Sequence, residues 1–225
     1  MQAEDCLQLL REMKDVSFAS VDEAGAPQVR IIDVMIVEGA KLYFCTSRGK
    51  DFYHQIRRKP EIAITGMNSQ YQTVRLQGDV RRVKEQEYWI NRIFEENPSM
   101  KAVYPANSRR ILEAFVIEDA QLEFFDLGVQ PIERFYFSIG KRQPLKKGFQ
   151  ILDACVQCGS CLRSCPQQCI ETGQPYVIVQ KNCLHCGLCA EAVSYTHLIP
   201  VSISAIAVSW VWRFQRFNTI SRSIS

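Results

Sequence analysis

The sequence has no strong excess of charge, no apolar run long enough for a membrane helix and no signal peptide. Its 225 residues carry 27 lysines and arginines against 24 acidic residues. Three of these arginines, Arg213, Arg216 and Arg222, lie beyond residue 192, where no acidic residue occurs, so the first 192 residues are neutral. A neutral chain does not predict nucleic-acid binding. We therefore expect a cytoplasmic protein of one or two domains, without a membrane partner.

Seven of the ten cysteines lie in two closely spaced runs between residues 155 and 189. The first run, followed by Pro166, has the spacing C-x-x-C-x-x-C-x-x-x-C-P, and the second repeats its first three positions. The seven cysteines are Cys155, Cys158, Cys161, Cys165, Cys183, Cys186 and Cys189. This spacing is typical of cysteines that bind iron–sulfur clusters, in which the fourth cysteine of one run binds the cluster of the other run.

Two other interpretations of the cysteines are weaker. A zinc site uses two C-x-x-C pairs rather than a triplet with Cys-Pro. A disulfide framework is possible by count, but clustered thiols without a signal peptide suit a reducing compartment. Residues 146–192 resemble the bacterial two-[4Fe–4S] ferredoxins. The resemblance implies two 4Fe-4S clusters, a small α+β ferredoxin-like domain at residues 151–192 and a role in electron transfer.

One cysteine of the ferredoxin pattern is missing, because Val193 stands where the second run should continue with Cys-Pro. The following letters, Val193-Ser194-Tyr195-Thr196-His197-Leu198, are what a transposon end used in sequencing libraries encodes. Our hypothesis is that residues 193–225 are a non-native read-through tail. The alternative is a genuine C-terminal segment, whose apolar stretch Leu198–Trp212 is too short to span a membrane.

Before residue 127 the sequence alternates short apolar strands with turn residues and two or three helices. Short strands with short connections predict a small antiparallel barrel with flanking helices. The expected strands are 16–21, 28–37, 42–46, 62–68 and 72–83, with a hairpin formed by 112–117 and 121–125. The expected helices are 3–14, 48–59 and 84–97. Residues 127–150, rich in Gly, Pro and basic residues, are interpreted as a linker, with a further strand at Arg134–Ile139 left open.

Residues 4–126 resemble the pyridoxamine 5′-phosphate oxidase-like split barrels. The resemblance is carried by Arg30-Ile31-Ile32-Asp33, by the segment Leu42–Lys50, by Pro60-Glu61-Ile62-Ala63 and by Val74–Val80. It implies a mainly β, six-stranded split barrel at residues 1–126 that dimerises and binds FMN at the dimer interface. Some such proteins bind a deazaflavin or haem instead. The sequence lacks the C-terminal Trp and Arg with which the biosynthetic oxidase holds its substrate, so vitamin-B6 oxidation is not expected.

The segment Thr46-Ser47-Arg48-Gly49-Lys50 combines hydroxyls, cations and backbone N–H groups, which a phosphate monoester requires. By resemblance, Arg30 and Lys50 would hold the FMN phosphate, with hydroxyl donors at Thr46 and Ser47. Ile31 and Cys45 would face the cofactor through backbone groups, and Thr73 would be a polar contact. The alternative is that Arg30 and Lys50 are ordinary surface charges.

A flavin and iron–sulfur clusters on one chain predict an FMN-dependent oxidoreductase. Clusters transfer single electrons, whereas a flavin accepts one or two. We expect a small redox donor or acceptor as its partner. The alternatives are a non-catalytic electron carrier or flavin-binding relay, and a barrel that binds haem or a deazaflavin.

Overall fold

The computed structural model describes residues 1–145, 147–193 and 197–201. It divides into two units, Met1–Leu145 and Lys146–Ser225, which are described here one at a time. Most of the segment 193–225, interpreted above as a read-through tail, lies outside the described residues. Within the described part, no helix is long and apolar enough to cross a membrane.

The first unit is built on one antiparallel sheet in the order β2-β1-β5-β6-β7-β4-β3, with β8 paired to β7. Its strands are β1 Asp15–Val21, β2 Pro27–Asp33, β3 Ile36–Glu38, β4 Lys41–Ser47, β5 Glu61–Met67, β6 Gln72–Arg82, β7 Leu112–Asp126 and β8 Glu133–Ile139. The expectation of a mainly antiparallel split barrel is therefore confirmed, but the sheet has eight strands rather than six.

Helices flank this sheet. They are α1 Ala3–Met13, α2 Asp51–Arg58, α3 Gln86–Glu96 and the short α4 Met100–Val103, followed by a 3₁₀ turn at Ala106–Ile111. At the start of α1 the Asp5 carboxylate accepts a hydrogen bond from the Gln2 backbone N–H at 2.7 Å, which satisfies one of the free donors at a helix N-terminus.

Two strand predictions were wrong. Residues 112–117 and 121–125 do not form a hairpin, because they belong to the single 15-residue strand β7. Their polar interruption, Glu118-Asp119, lies beside a register shift between β6 and β7 at Asp79/Val80. The predicted strand 28–37 is two strands, because the chain leaves β2 after Asp33 and resumes pairing at Ile36. The strand left open at Arg134–Ile139 exists as β8, so part of the stretch 127–150 belongs to the sheet.

Two apolar cores hold the first unit together. The larger lies inside the barrel and includes Phe18, Phe44 and Phe115, each no more than 1 % exposed. The second lies between the sheet and α3, where Tyr43 stacks on Trp89 with ring centroids 3.8 Å apart. Burying one large apolar side chain contributes about 1.5–3 kcal/mol, so these two cores are the main source of favourable packing free energy in the barrel.

The second unit consists of short elements around a small core. They are β9 Phe149–Ile151, α5 Ser160–Ser164, β10 Ile170–Glu171, β11 Val177–Ile178, a 3₁₀ turn at Gln180–Asn182, α6 Leu188–Glu191 and β12 Leu198–Pro200. β10 pairs with β11 and β9 with β12, both antiparallel. Among the described residues of this unit, five of the nine buried core residues are cysteines, so thiols make up much of the described interior.

Candidate functional site

Two strands of the barrel leave part of a backbone edge without a strand partner in the described part of the chain. β2 pairs only with β1, and β4 pairs with β3 only over Lys41–Tyr43. We call residues 30–33 of β2 and 44–47 of β4 the open edges. They approach one another where the first ends and the second begins, because the N–H of Met35, two residues after Asp33, donates to the carbonyl of Tyr43, the residue before Phe44, at 3.0 Å. Their free backbone groups are available to a ligand.

Arg30 lies on the β2 open edge as a half-buried cation. Its guanidinium donates to Ser20 Oγ at 2.5 Å and to Gln55 Oε1 at 2.9 Å, and its central carbon lies 4.7 Å from the Phe52 ring centroid. Burial lowers the pKa of Arg30, and Asp51 acts in the opposite direction. Among the described residues, no carboxylate lies within ion-pair distance of Arg30, so an anionic ligand would compensate its desolvation.

Thr46 contributes a second unsatisfied group at the same end of the barrel. Its side chain is 3 % exposed, and its Oγ1 has no hydrogen-bond partner among the described residues. The ring of Phe44, two residues earlier, lies 5.9 Å from that of Phe52, over which Arg30 packs. Lys50 is exposed and immediately precedes α2. Arg30, Thr46 and Lys50 therefore all lie near the first turns of α2. Ser47, the residue after Thr46, is half-buried.

Three other predicted site residues, of which Ile31 and Cys45 were expected to contribute only backbone groups, do not bring their side chains to the start of α2. The Cys45 side chain lies in the core under α3, where burial raises its thiol pKa to about 12, so only its backbone can face a ligand. Ile31 is 63 % exposed on the outer face of the sheet. Thr73 pairs with Phe125 near the end of β7, whereas Ser47 pairs with Leu112 at its start. Thirteen residues of strand, up to about 40 Å, separate these positions within one chain.

A charged network that the sequence did not predict lies at the end of β4, on the side where β4 pairs with β7. Glu113, opposite Thr46 on β7, accepts a hydrogen bond from Arg82 Nε at 2.6 Å and one from the Tyr53 hydroxyl at 3.1 Å. Arg48 Nη1 lies 3.7 Å from the same carboxylate. Burial opposes ionisation of Glu113, but its hydrogen bonds and cations outweigh burial and lower its pKa. The sequence analysis included Arg48 in the candidate phosphate segment, but it could not identify the acidic partner Glu113, which lies 65 residues further along the chain.

In the second unit, the two cysteine runs repeat one backbone pattern. Gln157 and His185, each the residue before the second cysteine of its run, have φ of 57° and 58°. The glycines that follow those cysteines, Gly159 and Gly187, have φ of 72° and 87°, and a short helix starts after each. Positive φ turns backbone N–H groups inward, and the His185 N–H lies 3.4 Å from Cys183 Sγ.

The cysteines line two separate cavities. The first is lined by Cys155, Cys158 and Cys161 together with Val193. The second is lined by Cys183, Cys186 and Cys189 together with Cys165 from the first run. This distribution is the one that crossed ligation requires, and the ligation itself stays a prediction.

In the described part of the chain, no three His, Cys, Asp or Glu side chains are placed to hold a single metal ion. A four-iron cluster makes a different demand, because each thiolate binds a different iron and the ligands surround a volume. The chemistry of the donor set fits that demand in the second cavity with four thiols. The first cavity offers three thiols and an apolar side chain at Val193.

Cys169 is a fifth thiol in the second cavity, although it lies outside the ligand spacing. Its Sγ is 3.6 Å from Cys165 Sγ. Burial, followed by its contact with Cys165, raises the pKa of the Cys169 thiol. A buried, protonated thiol behaves as a small apolar side chain, so we assign Cys169 a packing role.

Comparisons with known proteins bear on the first unit. A family model described as pyridoxamine 5′-phosphate oxidase (PNPOx_N) matches residues 3–121. A NimC/NimA family protein from Clostridium acetobutylicum is 23% identical with a TM-score of 0.52, over 61% of this chain and 92% of that one. Below 25% identity this likeness is one of fold alone. No curated protein matches the chain.

Two further solved structures are more distant. One is a pyridoxamine 5′-phosphate oxidase-related, FMN binding protein from Nostoc punctiforme, at 13% identity and a TM-score of 0.45, covering 64% of this chain and 93% of that one. The other is a heme binding protein from Mycobacterium smegmatis, at 13% identity and a TM-score of 0.48, covering 61% of this chain and 58% of that one.

Proposed function

This chain belongs to the pyridoxamine 5′-phosphate oxidase family, and from that premise we propose that its first unit binds FMN and exchanges electrons with iron–sulfur clusters in its second unit. The observation that carries the proposal is a pair of groups at the open edges: the Arg30 guanidinium, whose hydrogen bonds go to the neutral acceptors Ser20 and Gln55, and the buried Thr46 hydroxyl, which has no partner among the described residues. Both are groups that a phosphate monoester satisfies.

In this proposal each residue has a distinct part in holding the cofactor. Arg30 and Lys50 bind the phosphate, and Thr46 and Ser47 donate hydroxyl hydrogen bonds to it. The backbone groups at Ile31 and Cys45, which have no strand partner on one side, contact the rest of the flavin. Bound FMN would supply one- and two-electron chemistry, and the clusters would supply single electrons.

We propose a homodimer because one chain does not gather all the expected site residues. Thr73 lies at the opposite end of β7 from Ser47, so a partner subunit would have to supply it. The outer face of the sheet carries three large exposed apolar side chains, Val29, Ile31 and Met67, each at least 59 % exposed. Apolar side chains on one face favour burial against a second copy.

The proposed function is tested first by spectroscopy of protein purified without oxygen. We expect flavin absorption maxima over a broad thiolate-to-iron band, with iron, sulfide and flavin measured on the same sample. Turnover with a reductant and a small acceptor would separate an oxidoreductase from a carrier. A Soret band, or protein without flavin after reconstitution with FMN, would contradict the FMN assignment.

Substitutions test the phosphate site directly. Removing one charge-assisted contact typically costs about 1–3 kcal/mol, so Lys50→Ala should weaken FMN binding by about tenfold, and Arg30→Ala with Lys50→Ala by more. Arg57→Ala, an exposed cation on α2, is the matched control. If the double variant bound FMN as tightly as the control, Arg30 and Lys50 would be ordinary surface charges.

The first cavity offers a test of the cluster assignment. Val193 lines it with three cysteines, so this site should hold a labile or three-iron cluster. Val193→Cys should raise the iron content from about one cluster per chain toward two. Unchanged iron content in Val193→Cys would show that position 193 is not the place of the fourth ligand.

A further inference from the structure

Gln55 is a buried glutamine on α2 that contacts Arg30, one of the two cations proposed above to bind the FMN phosphate. Its side chain is 8 % exposed, and its Oε1 accepts hydrogen bonds from Arg30 Nη2 at 2.9 Å and from Ser20 Oγ at 2.6 Å. Ser20 Oγ in turn accepts a hydrogen bond from Arg30 Nη1 at 2.5 Å. The three side chains are therefore joined in a closed ring of hydrogen bonds, which we call the Arg30 cluster.

The fold holds the Arg30 cluster from two sides. On the sheet, Arg30 pairs with Phe18 of β1, so Ser20, two residues further along β1, lies on the same face of the sheet. On the helix, Phe52 and Gln55 are three residues apart and share one face of α2. The Phe52 ring centroid lies 4.7 Å from the central carbon of the Arg30 guanidinium. Packing and hydrogen bonds thus fix this cation before a ligand arrives, as a preorganised site requires.

The bonds that fix Arg30 leave its positive charge uncancelled. Both of its acceptors are neutral, the Ser20 hydroxyl and the Gln55 amide oxygen. Asp51 acts on Arg30 electrostatically, but it is exposed at the start of α2 and forms no ion pair with Arg30 in the described ranges. The two bonds use one N–H of each terminal nitrogen, and the other N–H groups of the guanidinium have no acceptor among the described residues. Arg30 therefore keeps both its charge and its remaining donors for an anion.

A glutamate in place of Gln55 would hold Arg30 equally well but would change the charge of the site. Its carboxylate could accept the same hydrogen bonds, and such charge-assisted bonds are stronger than neutral ones. A phosphate monoester carries about two negative charges at neutral pH, which Arg30 and Lys50 together would balance. A carboxylate beside Arg30 would cancel half of that positive charge and would repel the phosphate.

We propose that Gln55 is the residue that gives the flavin site its selectivity for a phosphate dianion. It positions Arg30 through a neutral acceptor, so the site prefers FMN to a flavin without a phosphate. This inference rests on the proposed function and deepens it. Gln55 acts through Arg30 and is a positioning residue.

The test is titration of the flavin-free full-length chain with FMN and with riboflavin, which lacks the phosphate, followed by flavin fluorescence. Gln55→Glu should weaken FMN binding by at least about tenfold and leave riboflavin binding unchanged. Gln8→Glu adds the same charge at an exposed position of α1 and is the matched control, which should bind both flavins as wild type does. Equal FMN affinity in Gln55→Glu and Gln8→Glu would overturn the proposal.

The pair of flavins also separates charge selection from a purely structural role of Gln55. A distorted pocket would weaken FMN and riboflavin binding equally, and that result would also overturn the proposal. If Gln55→Glu fails to fold, Ser20→Asp places a carboxylate at the other neutral acceptor of Arg30. The ratio of FMN to riboflavin affinity should then fall by at least about tenfold, and an unchanged ratio would overturn the proposal.

Arg30→Ala distinguishes a failure of this inference from a failure of the proposed function. If Arg30→Ala weakens FMN binding and Gln55→Glu does not, Arg30 binds the phosphate but Gln55 does not select its charge. If neither variant weakens FMN binding, the phosphate lies elsewhere, and the proposed flavin site fails together with this inference.

Discussion

The two units of this chain differ in what fills their interiors. The barrel is filled by aromatic and aliphatic side chains, whereas more than half of the buried core of the second unit is cysteine. Carbon side chains stabilise a fold once they are packed, but a thiol-lined interior in so small a unit gains most of its stability when a metal group binds. The comparison therefore predicts that the barrel folds on its own and that the second unit depends on its clusters.

The largest expected effect is that of iron removal. Chelation under anaerobic conditions should unfold the second unit and leave the barrel intact, because cluster binding supplies much of its folding free energy. Hydrogen exchange measured by mass spectrometry would show protection lost over residues 147–193 and kept over β1–β8. Retained protection over 147–193 would show that the apolar contacts of the second unit suffice.

A smaller effect, confined to one cavity, is expected from single cysteine substitutions. Cys165→Ser should remove about one cluster's worth of iron, and Cys165→Ser with Cys183→Ser should remove no more, since both thiols line the second cavity. Cys165→Ser with Cys155→Ser should remove, in addition, whatever labile iron the first cavity holds. Cys169→Ser, in the same cavity but outside the ligand spacing, is the matched control. If the double variant Cys165→Ser with Cys183→Ser lost more iron than either single variant, the two cysteines would bind different clusters, and crossed ligation would be refuted.

In the barrel, the largest effect of one substitution should come from Phe44, which contacts the rings of Phe18, Phe52 and Phe115. Phe44→Ala should lower the free energy of unfolding by about 3–5 kcal/mol, because it leaves a cavity in the packed core. Denaturant titration of residues 1–145 measures this. Val29→Ala, 71 % exposed, should change stability by less than about 0.5 kcal/mol, and iron content should not change in either full-length variant.

The smallest effect concerns Glu113. Glu113→Gln should destabilise the barrel by about 1–2 kcal/mol at neutral pH, a value reduced because Arg48 and Arg82 are more than a third exposed. The folded-state pKa of Glu113 lies below its usual value, so its contribution is present above about pH 4.5 and is lost as pH falls further. The stability difference between wild type and variant should shrink over that range. A difference independent of pH would mean that the carboxylate charge does not matter.

The sequence predicted local features well and long-range placement poorly. The helix at 3–14 and the strands around 16–21, 42–46 and 62–68 were visible because their apolar periodicity is local. The 15-residue length of β7 was hidden, because Glu118 and Asp119 look like turn residues. In the fold Glu118 pairs with Arg81 and Lys41, and Asp119 Oδ1 accepts a hydrogen bond from the Lys141 backbone N–H at 2.5 Å.

The candidate flavin site shows the same limit. Arg30, Thr46 and Lys50 were found by motif, and strand pairing and the packing of α2 bring them together. Ser20 and Gln55, which accept the hydrogen bonds of Arg30, could not be found in this way. They belong to no sequence motif, and only the fold shows that they contact Arg30. The sequence could not show that Thr73 is far from Ser47 within one chain. That separation follows from the fact that β7 is one continuous strand, with Ser47 paired at its start and Thr73 near its end.

The open edges of the barrel also bear on solubility. Unpaired strand edges with exposed apolar side chains are templates for association with other chains. The β2 strand carries Val29 and Ile31, both largely exposed. Pro27, which has no backbone N–H to donate, lies only at the start of this strand and does not protect the rest of its edge. If the proposed flavin covers residues 30–33 and 44–47, it would also protect the newly made protein from aggregation, so the supply of flavin would influence how much of the protein accumulates.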